Sequence, residues 1–587
     1  MFSYLQKMKE SLTEAQTTQL RAIYEPTVVT VPPCDACRHL TVMPDGEIRI
    51  YGWVDKRELS DPGTPIYLSS RDAGLSWRRV ETASHALGSA TRNPETGRWI
   101  STSPNEFRRG EHALTEGGSG SYAILSDEGP DSECLRAVKL AEEHILFLRK
   151  PLYLPSLRRW LIFGQHRKPD FEQFVEVFVS DDDGEHWMRT RLPHAPAFEV
   201  TPPHKSPRWQ EYSCEPTVAD MGDGRLLMLV RTSQNYHYMH ESQDGGLTWS
   251  APTPSPFHAT LTMPTLLRLS DGRVVLFHCN TQPLPEIDKE AVFPRLSDNE
   301  KRGIGEDVFT NRDANHLAIT EDGGKTWRGE RELYLNFIRN FADFRAVGGR
   351  DSHDKSVHQA ELLELPYNKL LVAFGQNAVS RKVVILDLDW LYETKRREDF
   401  REGLATVSTQ MYVKSNLGGF AGWSGHCAYN RTDGALLVPD PSGNRREVLQ
   451  LCRTEDPRLV YQKQGVVWNF PAGKRGRVRI ELMVVGSGVA ISLTDRWYNP
   501  VDETVKGEAP LSLAFDRASV TPNEWHAVDV LYDTEKGSAE ILLDGASYAI
   551  LPLRAPAPLG LSYLHVQTLA EKQDFEGTLL RLFEKTK

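Results

Sequence analysis

Arginines, histidines, side-chain amides and a few carboxylates recur at one kind of place in this chain. They stand just before the first of two paired apolar runs, or just after the second. Arg38, His144, Glu215, His358 and Gln359 precede such runs, and Asp55, Arg57, Gln165, His166, Arg167, Arg231, Asn280, Gln376 and Asn377 follow them. A guanidinium is planar and its paired donors match a carboxylate, so arginines brought together would hold an anionic small ligand. A carboxyl or imidazole beside them can move a proton. Convergence of such groups from separate segments is how a binding cup is built in a repeat fold. Plain structural readings stand beside this one. Glu215 and Arg231 can bridge each other, Arg38 can pair with Asp35 or Asp45, and Arg312 with its neighbour Asp313. Asp61 precedes Pro62-Gly63, where Asp caps turns, and His358 can be a hydrogen-bonded core histidine.

The elements that must position these groups are hairpins. Residues 39–51, 216–230, 264–277 and 359–374 each read as an apolar strand, a short turn and a second apolar strand. The turns are Pro44-Asp45-Gly46, Gly222-Asp223-Gly224, Ser270-Asp271-Gly272 and Pro366-Tyr367-Asn368. Residues 145–163 give a weaker copy with a longer turn around Leu154-Pro155-Ser156, and 85–126 a degenerate one. Four segments further share Ser/Thr-x-Asp-x-Gly-x-(Ser/Thr)-Trp: 70–77, 242–249 and 320–327, with His186 in place of the hydroxyl residue in 180–187. The Asp can accept bonds from nearby N–H groups, the Gly supplies φ > 0, and the Trp packs between sheets.

This repeat resembles the Asp boxes of the sialidase-like β-propeller superfamily. The resemblance implies an all-β fold: a short N-terminal helix over 1–24, a six-bladed propeller over 25–394, a linker at 395–404 and a C-terminal domain over 405–587. That last domain, with alternating runs at 477–493, 525–532 and 539–549 and a hairpin at Leu543-Asp544-Gly545, resembles a concanavalin-like β-sandwich (jelly roll). Three substrate-carboxylate arginines of the family map on Arg38, Arg231 and Arg312, a further one on Arg57, and the general acid/base on Asp61. Glu215 matches the family's catalytic-site glutamate. The family's nucleophilic tyrosine begins the last blade, whereas residues 356–362 contain none, and His358 is the nearest equivalent. The implied function is an exo-acting glycoside hydrolase on an acidic or polar sugar, using Asp61, Glu215 and His358. His166, Arg167, Gln359 and Gln376 would complete the substrate contacts. A uronate lyase with His358 as base and a non-catalytic carbohydrate-binding propeller are the alternatives.

Composition narrows the partners. Hydrophobic residues make up 40% and charged residues 25%, and the apolar runs are too short to span a bilayer, so no membrane partner is expected. A net charge of −11 argues against nucleic acid, while a local arginine cluster remains compatible with it. The N-terminal segment lacks the apolar core of a secretory signal, and seven scattered cysteines read as thiols of a reducing, cytoplasmic compartment. Cys34-x-x-Cys37 has no second ligand pair, and the Asp boxes lack calcium-loop spacing, so no metal or cofactor is expected.

Overall fold

Alternating apolar residues between turn signals produce antiparallel strands almost throughout a computed structural model of the chain. It describes residues 3–32, 39–54, 64–82, 89–102, 120–132, 134–168, 172–202, 212–259, 261–284, 312–335, 357–375, 380–412, 431–444 and 446–587. Six small sheets follow one another from Thr27 to Asp387. The first runs through His39–Val42, Ile48–Val54, Thr64–Ser70 and Arg78–Glu81, each strand pairing with the next. The second spans Thr91–Arg92 to Arg136–Ala141, the third Ile145–Leu146 to Met188–Arg191, and the fourth Cys214–Gly222 to Thr253–His258. The fifth spans Thr265–Arg268 to Arg328–Leu335. The sixth comprises Glu361–Leu365, Lys369–Phe374 and Lys382–Asp387, and its outer edge is the N-terminal strand Thr27–Thr30.

Consecutive sheets share apolar layers. Leu161 and Val177 of the third sheet meet Met228 and Val230 of the fourth. Leu227 and Leu229 meet Val274 and Leu276 of the fifth, and Val275 and Phe277 meet Val372 and Phe374 of the sixth. The sixth then packs back on the first, where Leu371 and Ile385 meet Ile48, Ile50 and Leu68. The Asp-box turns lock these layers. In the first, Asp72 accepts the Ser76 N–H at 2.9 Å, the Ser70 hydroxyl takes the Gly74 N–H at 2.8 Å, and Trp77 Nε1 donates to the Gly74 carbonyl at 2.9 Å. The other three repeat these bonds; in the variant copy His186 Nδ1 replaces the hydroxyl against Asp182 at 2.7 Å. Gly184 has φ 89°, and a Cβ there would stand 2.6 Å from Ile100 of the preceding sheet, so the turn requires glycine.

The remaining chain forms two further sheets around one core. An eight-stranded sheet includes Glu447–Arg453, Asp574–Thr586, Arg475–Val484 and His526–Asp533, and a five-stranded one Gly465–Gly473, Leu561–Thr568 and Val489–Thr494. Trp468, Phe470 and Val566 of the smaller sheet pack against Ile480, Val530 and Phe583 of the larger. The alternating run 477–493 is not one strand. It breaks at Gly486-Ser487-Gly488 and crosses from one sheet to the other, and a Cβ at Gly488 would stand 1.9 Å from the Phe515 carbonyl.

Two further expectations differ from the structure. The N-terminal segment is two helices, α1 (Ser3–Ser11) and α2 (Glu14–Ala22), because Thr13 caps the second with a reciprocal Thr13–Gln16 box. Residues 395–404, expected as a linker or short helix, are built into the larger sheet: Arg396–Glu398 pairs with Asp574–Thr586, and Phe400 lies in its core. Cross-strand pairing of Arg397 with Glu584 at 3.3 Å and the apolar anchor at Phe400 account for the strand.

Candidate functional site

The start of the fourth sheet's first strand carries the site's best-defined pair. Cys214 opposes Arg231 in the register, which brings Glu215 beside the end of the second strand. Arg231 Nη1 donates to Glu215 Oε2 at 2.9 Å, and the two residues are only 6% and 8% exposed. Glu215 is left-handed at φ 46°, a strained conformation for a side chain of this size. Its N–H donates to Gln165 Oε1 at 2.8 Å, tying the third sheet to the fourth.

The sixth sheet repeats this geometry. Gln359 stands two residues before the strand Glu361–Leu365 and is also left-handed, at φ 61°. Its neighbour His358 is fully buried, and the His358 carbonyl accepts the Gly375 N–H at 3.0 Å. The fifth sheet reaches this segment through Arg312, whose carbonyl accepts the Val357 N–H at 3.0 Å while its guanidinium donates to the Leu261 carbonyl. Asn315 Nδ2 donates to the Val357 carbonyl at 2.7 Å. Glu215, Arg231, Arg312, His358 and Gln359 are thus set at the same end of three successive sheets, all at most 8% exposed.

Arg149 crosses beneath them. Its Nη1 donates to the Ala360 carbonyl at 2.8 Å, and its Nη2 to Thr265 Oγ1 at 2.8 Å and to the Pro264 carbonyl. One side chain from the third sheet therefore joins the fifth and sixth next to Gln359. Lys150 follows it and donates to the Leu40 carbonyl of the first sheet at 3.3 Å. Sequence reasoning missed both because residues 145–163 read as a hairpin from Ile145. The first strand is in fact split into Ile145–Leu146 and Leu152–Leu154, with the cationic dipeptide between; Arg149-Lys150 immediately before Pro151 was the available signal.

Other expected residues lie elsewhere. His166 faces away from Glu215. Its Nδ1 is 3.3 Å from Glu176 and 3.0 Å from Arg191. Burial opposes charge on Glu176, but the Arg189 and Arg191 guanidiniums outweigh it and hold that carboxyl below the usual range. Arg167 ends the same strand opposite Gln173, at an exposed position. Asn280 serves the junction with the C-terminal sheets. Its Nδ2 donates to the Asp495 carbonyl at 2.9 Å, and its own carbonyl accepts the Trp497 N–H at 2.9 Å. Next to it His316 contacts the Tyr563 hydroxyl, which donates to Glu332 at 2.9 Å. Arg38, Arg57, Asp61 and Gln376 lie outside the described residues. Among the described residues no cluster of three or more metal-ligating side chains occurs, and no helix is long and apolar enough to cross a membrane.

Residues 134–358 match the family model described as a BNR repeat-like domain. No curated protein matches the chain. Among solved structures it is similar to Trypanosoma rangeli sialidase in complex with sialic acid, at 12% identity over 96% of this chain and 91% of that one, with a TM-score of 0.36. The same sialidase with 2,3-difluorosialic acid as a covalent intermediate gives 11% identity, the same 96% and 91% coverage, and a TM-score of 0.35. A structure described as NanB plus Optactamide gives 11% identity over 64% of this chain and 70% of that one, with a TM-score of 0.38.

Proposed function

We propose that the six sheets are the blades of a six-bladed sialidase-like propeller (25–394), followed by a concanavalin-like sandwich (405–587) to which Arg396–Glu398 adds a strand. On this reading the chain is an exo-acting glycoside hydrolase of an acidic sugar. The buried Glu215–Arg231 pair, held on a left-handed backbone at the start of a first strand, carries the reading. Strain of this kind persists where the surroundings over-determine it, and it clusters at functional sites. Arg231 would orient the substrate carboxylate, with Arg38 and Arg312 as its companions. Glu215 would take a proton from the attacking water, and Asp61 would protonate the leaving glycosidic oxygen. A two-carboxylate route of this type needs no tyrosine nucleophile.

The test is product analysis on a panel of sialosides and uronides. Hydrolysis by the parent protein releases the free acidic sugar from the glycoside, and Arg231→Ala abolishes release. An unsaturated, ultraviolet-absorbing product would replace the hydrolase with a lyase. Saturable sugar binding with no product would replace it with a binding module.

A further inference from the structure

Below the Arg149–Lys150 bar lies a cavity that the proposed reaction does not use. It measures about 310 Å³ and is lined by first-strand residues of all six sheets. Glu215 stands at the very start of its first strand and Gln359 just before its own, whereas the cavity takes later residues of the first strands, among them Val218, Leu266 and Leu362. Its lining therefore extends from the candidate site toward the hairpin turns, as far as Met43 and Pro44. The roof is helix α1, whose Ser3 and Tyr4 reach the cavity. Tyr4 donates to the Glu364 carbonyl at 3.4 Å, and Met8, 1% exposed, pins the helix against the first and sixth sheets.

The chemistry of the lining is specific. Its walls are apolar and aromatic: Val42, Trp99, Tyr153, Phe163, Leu266 and Leu362. Its cations exceed its anions. Arg268 is matched by Asp220 at 2.8 Å, but Arg92 makes no ion pair among the described residues. Lys150 has one carboxylate nearby, Glu361, at 3.9 Å and already taken by the Leu40 N–H at 3.1 Å. Burial pushes the Glu361 carboxyl up toward its neutral form, which leaves the Lys150 charge less compensated. An ammonium has three donors, and that of Lys150, whose side chain is 37% exposed, makes one hydrogen bond among the described residues, to Leu40.

We propose that this cavity is a second ligand site, for a small organic anion with an apolar body, whose carboxylate is bound by Lys150. Ligand pockets start at roughly 300 Å³, so the space fits one compact molecule and no oligosaccharide. The apolar walls bury the body of the ligand, Lys150 supplies a charge-assisted bond at the inner end, and Arg92 adds positive potential. Arg149, which also lines the cavity, is bonded to the Ala360 and Pro264 carbonyls next to Gln359.

Calorimetry on the full chain with octanoate, and with octan-1-ol as the uncharged counterpart, tests this without reference to any turnover. Octanoate is expected to bind at a single site per chain, with octan-1-ol about tenfold weaker or more, the worth of one hydrogen bond to a charged group. Lys150→Met should weaken octanoate by a similar factor, and Leu266→Trp, which fills the cavity, should abolish binding. If Leu266→Trp does not fold, Val42→Phe, on the first sheet's lining, replaces it. Absence of saturable octanoate binding overturns the proposal. So does equal binding by a folded cavity-filled variant. Equal affinities for octanoate and octan-1-ol, or an unchanged Lys150→Met, overturn the anion assignment.

Discussion

Removing the Arg231 guanidinium should destabilise the chain far more than removing both members of its pair. Arg231 and Glu215 are nearly inaccessible, with side chains 7% and 10% exposed, and one bond of 2.9 Å joins them. In Arg231→Met the Glu215 carboxylate stays behind without its partner, and breaking a buried pair from one side costs about 3–5 kcal/mol. That is a large part of the ~5–15 kcal/mol that stabilises an ordinary domain. Replacing both by apolar groups of similar volume, as in Glu215→Leu/Arg231→Met, removes the desolvation cost of two charges and is expected to be neutral or stabilising by about 1–4 kcal/mol. The coupling energy is therefore about 3 kcal/mol or more, at the top of the range for contacting residues. Urea unfolding followed by tryptophan fluorescence at pH 7 reads the parent protein, the Arg231→Met and Glu215→Leu singles and the double variant, and turnover of an acidic glycoside should be lost in every variant. A double variant as unstable as the singles would refute the reasoning, since the pair would then be a brace between strands and not a costly arrangement kept for chemistry.

Other consequences are independent of that pair. Burial pushes the Asp502 carboxyl up to about 7, and one of its oxygens has no hydrogen-bond partner. The folded state therefore holds a proton that the unfolded state loses near pH 4, and this contribution is full below that pH and falls as pH rises toward 7. Asp502→Asn should raise the melting temperature at pH 8 and leave it nearly unchanged at pH 4; an equal shift at both would exclude the linkage. Gly246→Ala, at φ 91° with its new Cβ 2.3 Å from Leu161 of the preceding sheet, should cost about 2–4 kcal/mol by urea unfolding, and Gly272→Ala, with open space around it, distinctly less. Tyr563→Phe removes the hydroxyl between His316 and Glu332 and should cost about 1–3 kcal/mol, read as a lower unfolding midpoint.

Much of the architecture was legible because its signals are local. An Asp box writes its hydrogen bonds into eight consecutive residues, and the 39–51, 216–230, 264–277 and 359–374 hairpins announce themselves by alternation and turn chemistry. What the sequence hid are features decided by partners far along the chain. Arg396–Glu398 carries too many charges to read as a strand until Lys585 and Glu584 stand opposite it. Residues 477–493 keep one alternating pattern while changing sheets, because both sheets bury their inner face in the same core. Asn280 has the composition and position of a ligand-binding residue, and only the C-terminal segment Asp495–Trp497 shows that it is spent on docking.

At the candidate site the decisive information is one residue of register. Successive side chains in a strand face opposite ways, so Gln165 meets Glu215 while His166, its neighbour, turns to Glu176. A position read as "after the second strand" cannot separate the two. Glu215 and Gln359 show the converse. A left-handed backbone is normally signalled by glycine or asparagine, and at these two places the chain keeps a long polar side chain despite the strain. Had the turn alone mattered, glycine would serve it better. The retention of a carboxylate and an amide at the same station of two sheets is the physical reason for looking there for chemistry, and it becomes visible only once φ is known.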